Sequence, residues 1–156
     1  MSYTYSEFKA LYSKYIHNKN DLKLLEEAYQ LAFLKHQGQF RKSKEPYIIH
    51  PVNVGYILAS LQSGPNTLIA GLLHDVVEDT ETTLKEIETI FGEEVAFLVD
   101  GVTKISKLSF VSENREAENQ QKMLLAMSKD IRVVLIKIAD RLHNMRTLQF
   151  QSPEKQ

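Results

Sequence analysis

The sequence predicts an all-α fold, a compact unit of roughly six to eight helices. Apolar residues recur at three- and four-residue spacing along nearly the whole chain. Capping residues stand where those runs begin and end. The one β-branched run, Ile131 to Ile138, also fits a helical face.

Leu24, Leu25, Ala28, Leu31 and Ala32 form the apolar stripe of a first helix, with Asp21 as its expected cap and Gly38 beyond its end. A polar stretch from Gln39 to Glu45 follows. A second helix is expected from Pro51, carrying Val52, Val54, Ile57, Leu58 and Leu61. Ser63-Gly64-Pro65 breaks it, and Pro65 suits the first turn of the next helix, which holds Leu68 to Val77. Thr83 and Glu86 read as a capping box for a short helix ending at Gly92. Another helix runs from about Glu93 into Lys104. Ser106 to Asn119 is polar and aperiodic, and a mobile loop is expected there. A helix over Gln120 to Ser128 comes next. Ile131 to Leu148 could read as a buried strand. Asp130 as cap, the length of the run, and the spacing of Ile131, Leu135, Ile138, Leu142 and Met145 favour a helix.

The 156 residues make one domain the expectation, large enough to bury a core without staples. The chain stops at Ser152-Pro153-Glu154, a pattern that opens helices, so the expectation is the N-terminal fragment of a longer chain. No run is apolar and long enough to span a membrane, and the N-terminus lacks a signal peptide's apolar core. Cysteine is absent, which excludes disulfides and thiolate ligands. These features favour a cytoplasmic protein. A net charge of −1 argues against bulk nucleic-acid binding.

Chemistry concentrates in His74-Asp75-Val76-Val77-Glu78-Asp79. Residues four apart share a helical face, so His74 aligns with Glu78 and Asp75 with Asp79. The bland alternative is that these polar residues merely mark an exposed helix end. Acids are poorly placed at a helix C-terminus, however, and a bound cation would offset that cost. Asp140 follows an apolar run, and His143, Asn144 and Thr147 lie on its helical face. Residues at such offsets are more often a solvated surface than a substrate-facing strip. His50 sits between Pro46 and Pro51, where a structural turn is the commoner role. His17 and His36 read as surface residues. His50, His74, Asp75 and Asp140 together would form a mixed N/O metal set, better suited to Mn²⁺, Fe²⁺ or Zn²⁺ than to Mg²⁺ or Ca²⁺. Four protein ligands would leave positions open on a five- or six-coordinate ion, which favours Mn²⁺ over a closed zinc site.

These residues resemble the HD superfamily, whose pattern is a His, then His-Asp, then a distant Asp. The blocks Phe40 to Pro51, Ala70 to Thr80 and Lys137 to Thr147 look like the hydrolase domain of the RelA/SpoT-homologue family, and Asp100 to Lys104 is similar to a fourth block. The resemblance implies hydrolysis of ppGpp and pppGpp to GDP or GTP plus pyrophosphate, lowering the alarmone of the stringent response, with Mn²⁺ as cofactor. It implies metal ligands at His50, His74, Asp75 and Asp140, and a catalytic acidic pair at Glu78 and Asp79. Arg41, Lys42 and Ser43 match its nucleotide loop, and Asn144 and Thr147 match positions beside the ribose and phosphates. Lys44 departs from the family, which often has Gly or a small or acidic residue there. The last block is more like the long members, which carry synthetase and regulatory domains downstream. Other readings stay open: an HD phosphohydrolase for a dNTP, a cyclic nucleotide or NADPH, or a module that binds alarmone without cleaving it.

Overall fold

The computed structural model describes residues 2–109 and 130–147, and among them are seven helices and no strand. In chain order these are α1 (Tyr5–Tyr12), α2 (Lys19–Lys35), α3 (Ile49–Ser60), α4 (Pro65–Asp79), α5 (Leu84–Phe91), α6 (Glu93–Ser109) and α7 (Ile131–Arg146). The all-α expectation holds.

α4 is the axis of the molecule. Every residue from Thr67 to Val76 is buried, so this helix is enclosed on all sides, as a helix apolar all round must be. It packs against α2, α3, α6 and α7. Its start follows the sequence: Gly64 is the N-cap and Pro65 the first helical residue, where the missing N–H costs nothing. Its far end, Glu78 and Asp79, emerges from the core.

Several boundaries differ from expectation. The cap of α2 is Asn18, whose Oδ1 accepts the backbone N–H of Asp21 at 3.0 Å; Asp21 lies inside the first turn. α3 starts at Ile49, not Pro51. A proline fits any position in the first turn because those N–H groups have no helical partner. His50 is therefore a helical residue rather than a turn residue. α6 continues past Lys104 because Val95, Leu98, Val99, Val102 and Ile105 keep one buried stripe. Ser106–Ser109 are therefore helical and not the start of a loop. Residues 110–119 of the expected mobile loop, the expected helix at 120–128 and the C-terminal Ser-Pro-Glu lie outside the described residues. α1 has no counterpart in the sequence reading. Its signal was present in Thr4 and Glu7, a capping box, and in Phe8 and Tyr12, which are buried.

α7 is a helix, capped by Asp130 as expected. Its buried face is not the expected stripe, however: Val133, Val134, Ile136 and Ala139 lie in the core. Ile131, Ile138 and Met145, on the apolar stripe, are 56%, 54% and 57% exposed. Asp140 and His143, on the polar stripe, are buried at 7% and 2%. Arg132 ties the helix start to α6 through Glu94 at 2.6 Å.

α3 crosses α1 closely. A Cβ on Gly55 would lie 2.7 Å from Phe8 Cζ, and that ring is fully buried. Gly55→Ala is expected to destabilise the fold by about 1–3 kcal/mol through overpacking. Alanine's advantage of roughly 1 kcal/mol within a helix does not offset a clash with a ring that cannot turn away. Urea unfolding measures the change; an unaltered midpoint would contradict it.

Candidate metal centre and nucleotide cleft

Three helices deliver the candidate ligands. His50 comes from the first turn of α3, His74 and Asp75 from the last turns of α4, and Asp140 from the middle of α7. All four residues are buried, and each offers a ligand atom within 4.8 Å of the others. His50 Nε2 lies 2.6 Å from Asp140 Oδ1 and 3.7 Å from Asp75 Oδ2. His74 Nε2 lies 3.4 Å from Asp140 Oδ1 and 3.2 Å from Asp75 Oδ1. Two imidazole nitrogens and two carboxylates thus converge on one point.

The electrostatics describe a place for a cation. Burial alone would push the His74 imidazolium down, but the Asp75 and Asp140 carboxylates outweigh it and hold the ring at about 10. Burial likewise opposes ionisation of Asp140, and the bonds from His50 and His74 override it, keeping that carboxyl well below its usual range. The carboxylates therefore draw positive charge to the centre, and a divalent ion can meet that demand in place of protons. The donor set suits borderline transition ions and lacks the all-oxygen shell that Mg²⁺ and Ca²⁺ prefer.

A surrounding layer holds these groups. His74 Nδ1–H donates to the Gly71 carbonyl at 2.7 Å, which aims Nε2 into the centre. The Tyr47 hydroxyl donates to Asp75 Oδ2 at 2.9 Å. Burial first, and then the Asp75 charge, raise the Tyr47 phenol far above its usual range, so it stays a donor. Lys137 Nζ reaches Asp140 Oδ2 at 3.2 Å and Ser106 Oγ at 3.0 Å. His143 Nδ1 lies 2.7 Å from His50 Nδ1. Burial, and then the electrostatic influence of His50, Arg41 and Arg146, lowers the His143 ring to about 3. Tyr47 and Lys137 had no role from sequence, and His143, read there as part of a solvated surface or a substrate-facing strip, is instead buried against His50. Helical offset from Asp140 places Lys137 and His143 beside it, whereas nothing local marks Tyr47. His36 also departs from expectation: it is buried, not a surface residue, with Nδ1 3.0 Å from Gln39 Oε1 and its ring 4.8 Å from that of Tyr47.

Glu78 and Asp79 stand at the rim, one turn beyond His74 and Asp75, with exposed side chains. Desolvation of their inner faces, and next the Asp75 charge, raise both carboxyls above their ordinary values.

Beside this centre is a cleft of about 260 Å³ lined by Phe40, Arg41, Lys42, Ser43, Tyr47, Asn144 and Thr147. All five residues matched to the nucleotide site thus meet in one place. An Arg41 nitrogen donates to Asn144 Oδ1 at 3.1 Å and to Thr147 Oγ1 at 3.0 Å, joining the loop to α7. The loop turns back on itself through Lys44 N–H to the Arg41 carbonyl and Arg41 N–H to the Glu45 carbonyl. Lys44 takes φ +70°, a left-handed conformation that glycine adopts without strain. The loop thus closes with a lysine in a backbone conformation that favours glycine.

An all-helical core enclosing a paired His-Asp, a second His and a distant Asp defines a class, and the comparison agrees. The family model described as "HD domain" matches residues 28–156, and the chain belongs to that family. Within it, the similar proteins are of RelA/SpoT type. The chain is 51% identical over 144 residues to a GTP pyrophosphokinase of Myxococcus xanthus, covering 90% of this chain and 19% of that protein. It is 48% identical over 155 residues to a guanosine-3′,5′-bis(diphosphate) 3′-pyrophosphohydrolase of Spiroplasma citri, covering 97% and 20%. It is also 48% identical over 154 residues to the bifunctional (p)ppGpp synthase/hydrolase SpoT of Escherichia coli, covering 98% and 22%. The chain therefore spans about a fifth of the length of these relatives. Among solved structures, a metazoan orthologue of SpoT that hydrolyses ppGpp superposes with a TM-score of 0.64 at 32% identity, covering 86% of this chain and 73% of that one. Among the described residues, no helix is long and apolar enough to cross a membrane.

Proposed function

We propose that this chain hydrolyses the 3′-pyrophosphate of ppGpp and pppGpp, yielding GDP or GTP and pyrophosphate, with Mn²⁺ as its cofactor. The observation that carries this reading is the continuity of cleft and centre. Tyr47 lines the cleft and donates to Asp75, so a nucleotide held by the loop would present its phosphates to the His/Asp set. His50, His74, Asp75 and Asp140 would hold the ion. A bound divalent cation supplies charge neutralisation for the phosphates and a more acidic water.

The chain's own residues do the rest. Glu78 or Asp79 accepts a proton from the attacking water; their raised pKa values bring them nearer the working pH, where a general base is most effective. The Arg41 guanidinium retains donors and a planar face for purine or phosphate while bonded to Asn144 and Thr147. Lys42 adds a point charge for phosphate. Tyr47 and Lys137 steady Asp75 and Asp140 while charge shifts at the centre.

The test is turnover of ppGpp followed by ³¹P NMR, with a dNTP, a cyclic nucleotide and NADPH as competitors. GDP and pyrophosphate are the expected products. Exhaustive chelation should stop the reaction and added Mn²⁺ restore it. Activity that survives chelation defeats the metal reading. Preference for another nucleotide defeats the substrate reading, and tight ppGpp binding without cleavage defeats the catalytic one.

A further inference from the structure

His143 holds a place in the centre that the proposed chemistry does not use. We infer that His143 is a positioning residue for the metal centre: its Nδ1 accepts the Nδ1–H of His50 in the loaded protein, leaving His50 Nε2 free to ligate. The inference rests on the metal reading given above.

The geometry leaves few alternatives. The two Nδ1 atoms are 2.7 Å apart, so only one proton fits between them and one ring must donate to the other. The other nitrogen of His50 is also engaged, 2.6 Å from Asp140 Oδ1. Ligation needs the Nε2 lone pair. A neutral imidazole carries one proton, which must then sit on Nδ1. His50 is 2% exposed, and a buried donor needs an acceptor. His143 is the group in reach.

His74 provides an internal comparison. Its Nδ1 faces the Gly71 carbonyl, which can only accept, so Nδ1 of His74 carries a proton with or without an ion. The partner of His50 is a ring that can donate or accept. His50 can therefore ligate through Nε2 while its other nitrogen stays bonded to His143. His143 lies three residues after Asp140 on α7, so one helix supplies both a ligand and the group that orients another ligand.

The experiment compares wild type with His143→Leu, which removes the acceptor, and His143→Asn, whose Oδ1 can restore it. Mn²⁺ affinity is measured by calorimetry, and the metal-free fold by circular dichroism and thermal unfolding. Leucine is expected to weaken Mn²⁺ binding about 10–100-fold while the metal-free protein keeps its helical spectrum, and asparagine to recover most of the loss. In parallel, ¹⁵N NMR of wild type loaded with Zn²⁺ should show Nδ1 of His50 protonated and Nδ1 of His143 bare. That measurement decides the matter if the leucine variant does not fold. A proton on Nδ1 of His143 in the loaded protein overturns the inference, as does wild-type affinity in a folded leucine variant. A wild type that binds no Mn²⁺ overturns the metal reading together with this one, so the two failures are distinguishable.

Discussion

Replacing Asp75 or His74 with alanine is expected to abolish Mn²⁺ binding and ppGpp turnover together. Both side chains are buried in the last turns of α4, and both aim into the centre. Asp75 also accepts from Tyr47 and faces both imidazoles, so its loss removes a candidate ligand and the charge that draws a cation in. His74→Ala removes the nitrogen that the Gly71 carbonyl aims. Charge stabilisation by a catalytic ion amounts to several kcal/mol, and each 1.36 kcal/mol is tenfold in rate, so turnover should fall by about three orders of magnitude or more. Metal content by elemental analysis and product formation should decline in step. A variant that keeps its metal but loses turnover would place Asp75 or His74 in the chemical step instead.

Glu78→Gln separates the other half of the site. The side chain is exposed at the rim, and it lies outside the four-residue metal set. Glutamine preserves its size while deleting the capacity to take a proton. Metal binding and thermal stability should therefore be unchanged, and the turnover number should fall about 10²–10⁴-fold, the usual range for a general base. Measuring turnover at saturating ppGpp and Mn²⁺ isolates this effect from binding. Near-normal turnover would remove Glu78 from the role and leave Asp79, which has a similarly raised carboxyl, to carry it.

How much of this was legible depended on how local the signal was. The capping box at Thr83 and Glu86 and the proline at the start of α4 act within one turn, and both stand where the sequence placed them. The His74-Asp75 pair is adjacent, and Glu78 and Asp79 follow one turn later, so their grouping was readable from helical spacing alone. His50 and Asp140 are 90 residues apart, and spacing could not pair them; only resemblance to a family did. α7 shows the limit most clearly. Its pattern correctly indicated a helix but misassigned the buried face. The buried face runs through Val133, Ile136 and Ala139 to Asp140 and His143, which complete a polar centre with α3 and α4, so apolar spacing alone did not single it out. His36 was misjudged for the same reason, being enclosed beside Tyr47 by chain remote from its own helix.

The sequence by itself determined the helical class, the starts of α4, α5, α6 and α7 and the residue types available for chemistry, because periodicity, capping and the absence of thiols are properties of short stretches. Only the tertiary structure decided which histidines are buried, which way each ring faces and what holds it there. The Nδ1 contact of His50 with His143, the Tyr47 bond to Asp75 and the Arg41 bridge to Asn144 and Thr147 each join distant parts of the chain. Hydrogen-bond direction and burial arise from the packing of whole helices, and so they exist only once α3, α4 and α7 have met.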